Sequence, residues 1–177
     1  KPDLAAPRDG NSGVTTQRWM IEETIRWIKR KRGEPVLICA PQPPSSVDEN
    51  IDSLDLRDLC KETATEYVDP RIGTMPLRPL KHDDASGRVY HVQISTLAAD
   101  GIVMLPKLKT ANRDTVELGT WGVLSFLSQR DLHDAYRRGV IDDLIELYRR
   151  YQPRIRACFV DGTVALEGDG PVNGQPV

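Results

Sequence analysis

Apolar residues along the chain fall into two patterns, short continuous runs and stripes at helical spacing. The continuous runs cover residues 36–40, 101–105 and 155–160, and a proline or a polar turn follows each of them. Runs of this length are typical of strands that are covered on both faces of a sheet. We therefore predict that these three segments form the core strands.

Helical patterns separate the predicted strands. A stripe of isoleucines predicts a first helix, which begins at Thr15 or Thr16 and ends in a basic run before Gly33. Further helical patterns cover residues 48–67, 95–100, 114–127 and 140–151. Residues 89–94 alternate and predict one more strand. Residues 69–87 are expected to form an irregular excursion, and the glycine-rich tail from Asp161 is expected to be turn-like.

Strands that alternate with helices of this length predict βαβ crossovers. The expected fold class is therefore α/β, with three layers, a mostly parallel sheet and helices on both faces. A length of 177 residues and a mass of 19.8 kDa fit one domain, residues 1–177. Ligands of such sheets bind beyond the carboxyl ends of the strands, so we look for chemistry in residues 41–46, 106–110 and 161–170.

Composition and charge narrow the classes of partner. The chain has 24 Lys and Arg residues against 26 Asp and Glu residues, a net charge of −2. This balance gives no overall positive potential that would attract a nucleic acid. The longest apolar runs have about five residues, far short of a membrane span, and no apolar segment follows Lys1. We expect a cytoplasmic protein. Three cysteines without a CxxC pair argue against a disulfide framework or a zinc ribbon.

Two lysines follow the second predicted core strand. If the chain remains extended after Pro106, Lys107 and Lys109 share one face, because side chains alternate along a strand. Two ammonium groups on one face repel each other unless an anion lies between them, which predicts a phosphate or carboxylate ligand. The alternative is a pair of solvated lysines at the edge of the sheet.

Two acidic residues follow the third predicted core strand. Asp161 leaves its carboxyl end, where an acid commonly binds a ligand hydroxyl, a metal or a lysine. Glu167 stands beside Gly168 and Gly170, whose flexibility permits close approach of the backbone to a ligand. Together with the lysines these carboxylates could act as acid and base groups. The alternative is a tight turn with surface acids.

The start of the first helix is a third candidate. Free backbone N–H groups beside Thr15 and Thr16 would attract an anion, although simple capping by these hydroxyls explains the pattern as well. Lys1 and Asp3 would join the same rim if a strand precedes them.

Three segments carry a family resemblance: KPDL at residues 1–4 with GVTT at 13–16, PKLKT at 106–110, and DG at 161–162 with EGDGP at 167–171. With these motifs in this order the chain resembles the domain-of-unknown-function family numbered 362, over nearly its whole length. Members have a strand before the first motif and continue beyond the last, so the resemblance implies a domain that is incomplete at both ends.

Two departures limit what the resemblance implies. A Lys-Asn pair common in the family after PKLKT is absent here, where residues 119–122 read GTWG, and the ferredoxin-like cysteine clusters of some members are absent too. No iron–sulfur role follows, and the cofactor stays undetermined.

Three functions remain open at this level. The first is a site for a small anionic metabolite, with Lys107, Lys109, Asp161 and Glu167 as catalytic residues if the protein is an enzyme. The ligand-binding positions are Thr15, Thr16, Lys1, Gly168 and Gly170. The second is a non-catalytic binding protein or an accessory protein for a redox partner, and the third is a metal site with acid ligands. A second copy or a partner segment would cover exposed sheet edges.

Overall fold

The computed structural model of the chain describes residues 1–40, 45–69, 77–82, 86–111 and 115–177. The α-helices in these residues are α1 (Arg18–Arg30), α2 (Val47–Ser53), α3 (Leu56–Glu62), α4 (Ile94–Ala98), α5 (Gln129–Arg138) and α6 (Ile141–Tyr151). Short 3₁₀ helices cover Gly10–Ser12, Gly119–Phe126 and Gln152–Arg154.

The strands are short and form several small sheets. They are β1 (Val36–Ile38), β2 (Glu66–Val68), β3 (Leu77–Lys81), β4 (Val89–Gln93), β5 (Ile102–Met104), β6 (Lys107–Ala111), β7 (Thr115–Glu117), β8 (Ile155–Cys158), β9 (Asp161–Glu167) and β10 (Gln175–Pro176). Parallel pairs are β1–β2, β5–β8 and β6–β9; antiparallel pairs are β3–β4, β6–β7 and β9–β10.

The mixed α/β class is confirmed, but a three-layer architecture around one mostly parallel sheet is not observed in the described residues. The pairing is divided among a four-stranded sheet, β10-β9-β6-β7, and three two-stranded sheets. Hairpin partners add antiparallel edges, which a purely βαβ chain would not have. The sequence pattern missed these partners because β7 and β10 have only three and two residues.

The three predicted core strands are confirmed as strands β1, β5 and β8. They differ in burial: β5 is mostly buried, whereas β8 alternates between half-buried and exposed positions. Their parallel path also continues past Pro106, since Phe159 N–H donates to Met104 O at 2.9 Å and Asp161 N–H donates to Pro106 O at 2.8 Å. The strands β5 and β6 therefore run beside β8 and β9 as one extended pair.

Two apolar cores hold these strands. One core lies between β4, β5, the 3₁₀ segment Gly119–Phe126 and α6, with Phe126 and Tyr151 in ring contact at 4.8 Å between centroids. The other joins Leu4 and Leu105 to the apolar faces of α1, α2 and α3. Leu105, at the end of β5, thus packs in the same core as Ile21 and Ile25 of α1.

Two helix predictions were wrong in part. Residues 48–67 form α2, α3 and β2 instead of one helix, because Asp55 adopts a left-handed backbone conformation (φ 50°) between the helices. The described part of residues 114–127 forms the strand β7 and a 3₁₀ segment instead of an α-helix. The helix predicted for residues 140–151 is confirmed as α6.

Two segments expected to lack regular structure contain strands. The glycine-rich tail opens with the seven-residue strand β9, and Leu77–Lys81 form β3. The chain does remain extended after Pro106, where residues 107–111 form β6. The rest of the 69–87 excursion lies partly outside the described residues. Long-range pairing stabilises these strands, and local composition does not reveal it.

Within the described residues, no helix combines the length and the apolar composition that crossing a membrane requires.

Candidate functional site

The parallel pair β6–β9 brings a lysine and an aspartate together at the carboxyl end of the core strands. Lys107 and Asp161 lie directly opposite each other in the register. Their side chains point to the same side, and Lys107 Nζ lies 2.9 Å from Asp161 Oδ2. The two predicted polar segments therefore meet on neighbouring strands, as their positions after β5 and β8 suggested.

The second lysine, two residues further along β6, also pairs with an aspartate. Lys109 shares the buried face with Lys107, while Leu108 between them is 38% exposed. The expectation that both lysines share one face is thus confirmed. Lys109 Nζ lies 2.8 Å from Asp3 Oδ2, so each ammonium group has its own carboxylate.

These four residues, Lys107, Lys109, Asp161 and Asp3, form what we call the lysine–aspartate cluster. The side chains of Lys107 and Asp161 are 0% exposed and that of Lys109 is 2% exposed, whereas the Asp3 side chain is 24% exposed. The alternative of two solvated lysines is therefore wrong. Two cations and two anions balance within the cluster, which reduces the cost of burying them.

Backbone N–H groups hold Asp161 in its ionised form. Gln17 N–H donates to Oδ2 at 2.6 Å, and Thr163 N–H donates to Oδ1 at 3.1 Å. Burial by itself raises the pKa of Asp161, but these two hydrogen bonds and the Lys107 ammonium outweigh it, so the pKa lies below its usual range. The Asp161 carboxylate thus occupies the position at the start of α1 where we expected an anionic ligand.

The helix start differs from the prediction at Thr15 and Thr16. Helix α1 begins at Arg18 with Gln17 as the N-cap residue, so neither threonine caps it. Both threonines are buried, and their hydroxyls donate to backbone carbonyls: Thr15 Oγ1 to Arg8 O at 3.0 Å and Thr16 Oγ1 to Leu105 O at 2.6 Å. Their positions before the helix tie the N-terminal segment to the end of β5.

The segment of residues 8–14, which we call the cover loop, lies over the lysines. Lys107 Nζ donates to Gly10 O at 3.5 Å, and Lys109 Nζ donates to Val14 O at 3.4 Å. Gln17 Nε2 also donates to Gly10 O, at 3.0 Å. The loop therefore shields the two lysines from solvent and offers them backbone carbonyls.

The other predicted site residues lie outside the cluster. Glu167 ends β9 with an exposed side chain, which makes no hydrogen bond or ion pair within the described residues. Lys1 Nζ donates to Pro2 O at 2.6 Å, beside the end of β5. Gly168 has a φ of 88°, as its flexibility suggested, while Gly170 is buried against Thr110 O. Ligand binding by these residues stays a prediction.

Two contributors were missing from the predicted catalytic set. Asp3 belongs to the KPDL motif, which was a usable signal, but only the fold shows that it pairs with Lys109. Gln17 contributes its backbone N–H, which any residue except proline would supply, so no sequence signal exists for it.

The arrangement offers little to a metal. Within the described ranges, no group of three or more His, Cys, Asp or Glu side chains is placed to hold a metal ion. The Asp161 oxygens already accept from Lys107 and two backbone N–H groups.

Comparison with known proteins establishes the family. The family model "Domain of unknown function (DUF362)" matches residues 1–177, so the chain belongs to this family. The resemblance carried by the KPDL, PKLKT and EGDGP motifs is thereby confirmed. No curated protein and no solved structure matches the chain.

Proposed function

We propose that the chain binds a small organic anion at the lysine–aspartate cluster. The observation that carries this proposal is the burial of two lysines on one strand face, at the carboxyl end of the core strands. A lysine is rarely buried completely, because removing an ammonium group from water costs several kcal/mol. Two such residues side by side are costly for a purely structural role.

Hydrogen-bond accounting supports an anion at this position. An ammonium group carries three N–H donors. Within the described residues, Lys107 and Lys109 each make one short contact to a carboxylate and one contact of 3.4 to 3.5 Å to a carbonyl. The carbonyl contacts are at the long limit of a hydrogen bond, so a ligand oxygen would improve the coordination of both groups.

A ligand would reach the cluster at the Lys109–Asp3 pair. Asp3 is the one cluster member with an appreciably exposed side chain, at 24%. A ligand carboxylate could take the place of Asp3 beside Lys109 without leaving that ammonium group unpaired. The Lys107–Asp161 pair, wholly buried and bonded to the start of α1, would keep its geometry.

Catalysis at this site stays a prediction. The chemistry that would support it is acid–base catalysis by the Lys107–Asp161 pair, in which Asp161 is held as a carboxylate. Glu167 lies outside the cluster and has no part in this scheme. The non-catalytic binding protein, alone or as an accessory to a redox partner, uses the same contacts without proton transfer.

The lysine ammonium groups themselves can report binding. Buried ammonium groups exchange their protons slowly, so ¹H–¹⁵N spectra of the ¹⁵N-labelled protein should show separate Nζ signals, which Lys107→Met and Lys109→Met assign. Titration with acetate, a minimal carboxylate, should shift the Lys109 signal saturably. Asp3→Asn should strengthen acetate binding several-fold, because it removes the competing carboxylate.

Two controls make the result decisive. Chloride at equal ionic strength should leave the Nζ signals in place, and Lys61→Met, which alters an exposed lysine on α3, should leave acetate binding unchanged. Nζ signals of Lys107 and Lys109 that respond equally to chloride and acetate would refute the proposal. Weaker binding in Asp3→Asn would refute the exchange of Asp3 for the ligand.

A further inference from the structure

Helix α1 carries two tryptophans on its outer side. Trp19 is 52% exposed and Trp27 is 43% exposed, whereas Ile21 and Ile25 on the opposite side are buried in the core. Eight positions separate the two tryptophans, which places them about 12 Å apart along the helix axis. Each indole ring has a large apolar surface that burial would stabilise. The outer side of α1 is therefore an exposed aromatic surface.

Positive charge is concentrated on the same helix. Residues 18–32 contain six arginines and lysines against two glutamates, a net charge of +4, although the whole chain has a net charge of −2. Both glutamates have arginine partners within α1: Glu22 Oε1 lies 2.8 Å from Arg26 Nη2, and Glu23 Oε2 lies 3.9 Å from Arg30 Nη2. The basic run at residues 29–32 therefore carries charge that these glutamates do not neutralise.

Polar groups on this side of the protein are available to a partner. The side chains of Lys31 and Arg32 are exposed, and they make no ion pair or hydrogen bond among the described residues. The indole N–H groups of Trp19 and Trp27 likewise donate no hydrogen bond among them. A partner would thus meet two apolar rings, two ring N–H donors and a cluster of cations.

A lipid bilayer with anionic headgroups fits this combination of groups. Tryptophan is enriched at the boundary between membrane and water, because its ring is apolar and its N–H group can bond to a polar neighbour. Anionic headgroups attract lysine and arginine side chains that lie close to the membrane surface. The outer side of a helix is convex, and a fluid bilayer adapts to a convex surface, whereas a folded protein would need a matching groove.

Single-stranded nucleic acid also combines anionic groups with flat rings. Its bases would have to stack on both tryptophans while its phosphates passed over Glu23, which lies between them in the sequence. Lipid headgroups are not joined to one another, so they can rearrange around the Glu23–Arg30 pair. The observations therefore favour a bilayer.

We infer that helix α1 binds the surface of an anionic lipid bilayer, with Trp19 and Trp27 at the level of the headgroups and the basic run of residues 29–32 against the anionic lipids. The contact is peripheral, and no segment crosses the bilayer. This surface is separate from the lysine–aspartate cluster and goes beyond the proposed function.

Tryptophan fluorescence reports this contact directly. The chain has three tryptophans, so the variant Trp121→Phe leaves Trp19 and Trp27 as the emitting residues. Vesicles of phosphatidylcholine with one third phosphatidylglycerol should shift their emission to shorter wavelength saturably, and brominated lipids in these vesicles should quench it. Vesicles of pure phosphatidylcholine should bind more weakly, since they lack anionic headgroups. Absence of a shift, or equal affinity for both kinds of vesicle, would overturn the inference.

Variants of the full chain locate the contact by sedimentation with the same anionic vesicles. Trp19→Ala/Trp27→Ala should lower the partition coefficient about tenfold or more, because it removes both rings. Lys31→Gln/Arg32→Gln should lower it by about tenfold, because it removes two cations from the membrane surface. Unchanged binding in either double variant would contradict the assigned face.

Matched controls change similar groups elsewhere. Ile141→Ala/Ile145→Ala truncates two exposed apolar side chains of α6, and Arg137→Gln/Arg149→Gln removes two exposed cations from α5 and α6. Both controls should bind the vesicles as the wild type does, and an equal loss in a control would refute a specific role for α1. Quenching of Trp19 and Trp27 by a single-stranded oligothymidylate, without a response to vesicles, would assign the surface to nucleic acid and overturn the inference.

Discussion

The lysine–aspartate cluster and the surroundings of Asp143 both bury carboxylates, and they neutralise them in different ways. In the first, the lysine–aspartate cluster, Lys107 is as deeply buried as its partner Asp161. In the second, Asp143 on α6 is buried, but its cationic partners Arg88 and Arg138 keep 28% and 42% of their side chains exposed. Water therefore reaches the cations of the second region and not those of the first.

The Asp143 region has the geometry of a structural junction. Tyr90 Oη donates to Asp143 Oδ1 at 2.6 Å, Arg88 contacts the same oxygen at 3.0 Å, and Arg138 contacts Oδ2 at 3.2 Å. These contacts join β4, the end of α5 and the first turn of α6. Burial and the bond to Asp143 raise the pKa of Tyr90, so its hydroxyl remains a donor. The junction is held by one buried charged side chain, that of Asp143, whereas the lysine–aspartate cluster buries the side chains of Lys107, Lys109 and Asp161.

The largest expected effect comes from Asp161→Asn. This change leaves the Lys107 ammonium buried without its counter-ion, which typically costs about 3–5 kcal/mol of stability. Urea denaturation should show this loss in the free energy of unfolding. The double variant Lys107→Met/Asp161→Asn should recover more than half of it, because no unpaired cation remains; a double variant as unstable as Asp161→Asn would mean that the pair is not what holds the site.

A smaller effect is expected from Asp143→Asn. The two arginines can return to water, and the amide oxygen of asparagine still accepts from Tyr90, so we expect a loss of about 1–3 kcal/mol. Urea denaturation of this variant beside Asp161→Asn tests the comparison directly. If Asp143→Asn proved the more destabilising of the two, exposure of the cations would not explain the difference between the regions.

The smallest effect is the pH dependence that Asp161 adds. Its folded pKa is lowered, so its contribution to stability is present above the unfolded pKa of about 3.9 and disappears as the pH falls through the folded value. The difference in free energy of unfolding between the wild type and Asp161→Asn should therefore shrink below about pH 4. Urea titrations at a series of acidic pH values measure it, and a gap that stays constant down to pH values below the folded pKa would contradict the stabilised carboxylate.

Local pattern was enough for part of the candidate site. Alternation along a strand placed Lys107 and Lys109 on one face, and the position of Asp161 after a core strand placed it at the same edge. The same reasoning did not place Glu167 correctly. Because of the glycines nearby, the sequence predicted a turn there, but Glu167 ends the seven-residue strand β9 and its side chain is exposed.

The sequence by itself determined the three core strands, the helix α6 and the family, because each depends on a contiguous run or motif. The tertiary structure alone decided that both lysines are buried, that Asp161 pairs with Lys107 across 54 positions, and that Asp3 completes the second pair. It also decided how the strands divide among small sheets. The physical reason is that burial and charge pairing depend on which distant segments of the chain become neighbours. Local periodicity does not contain this information.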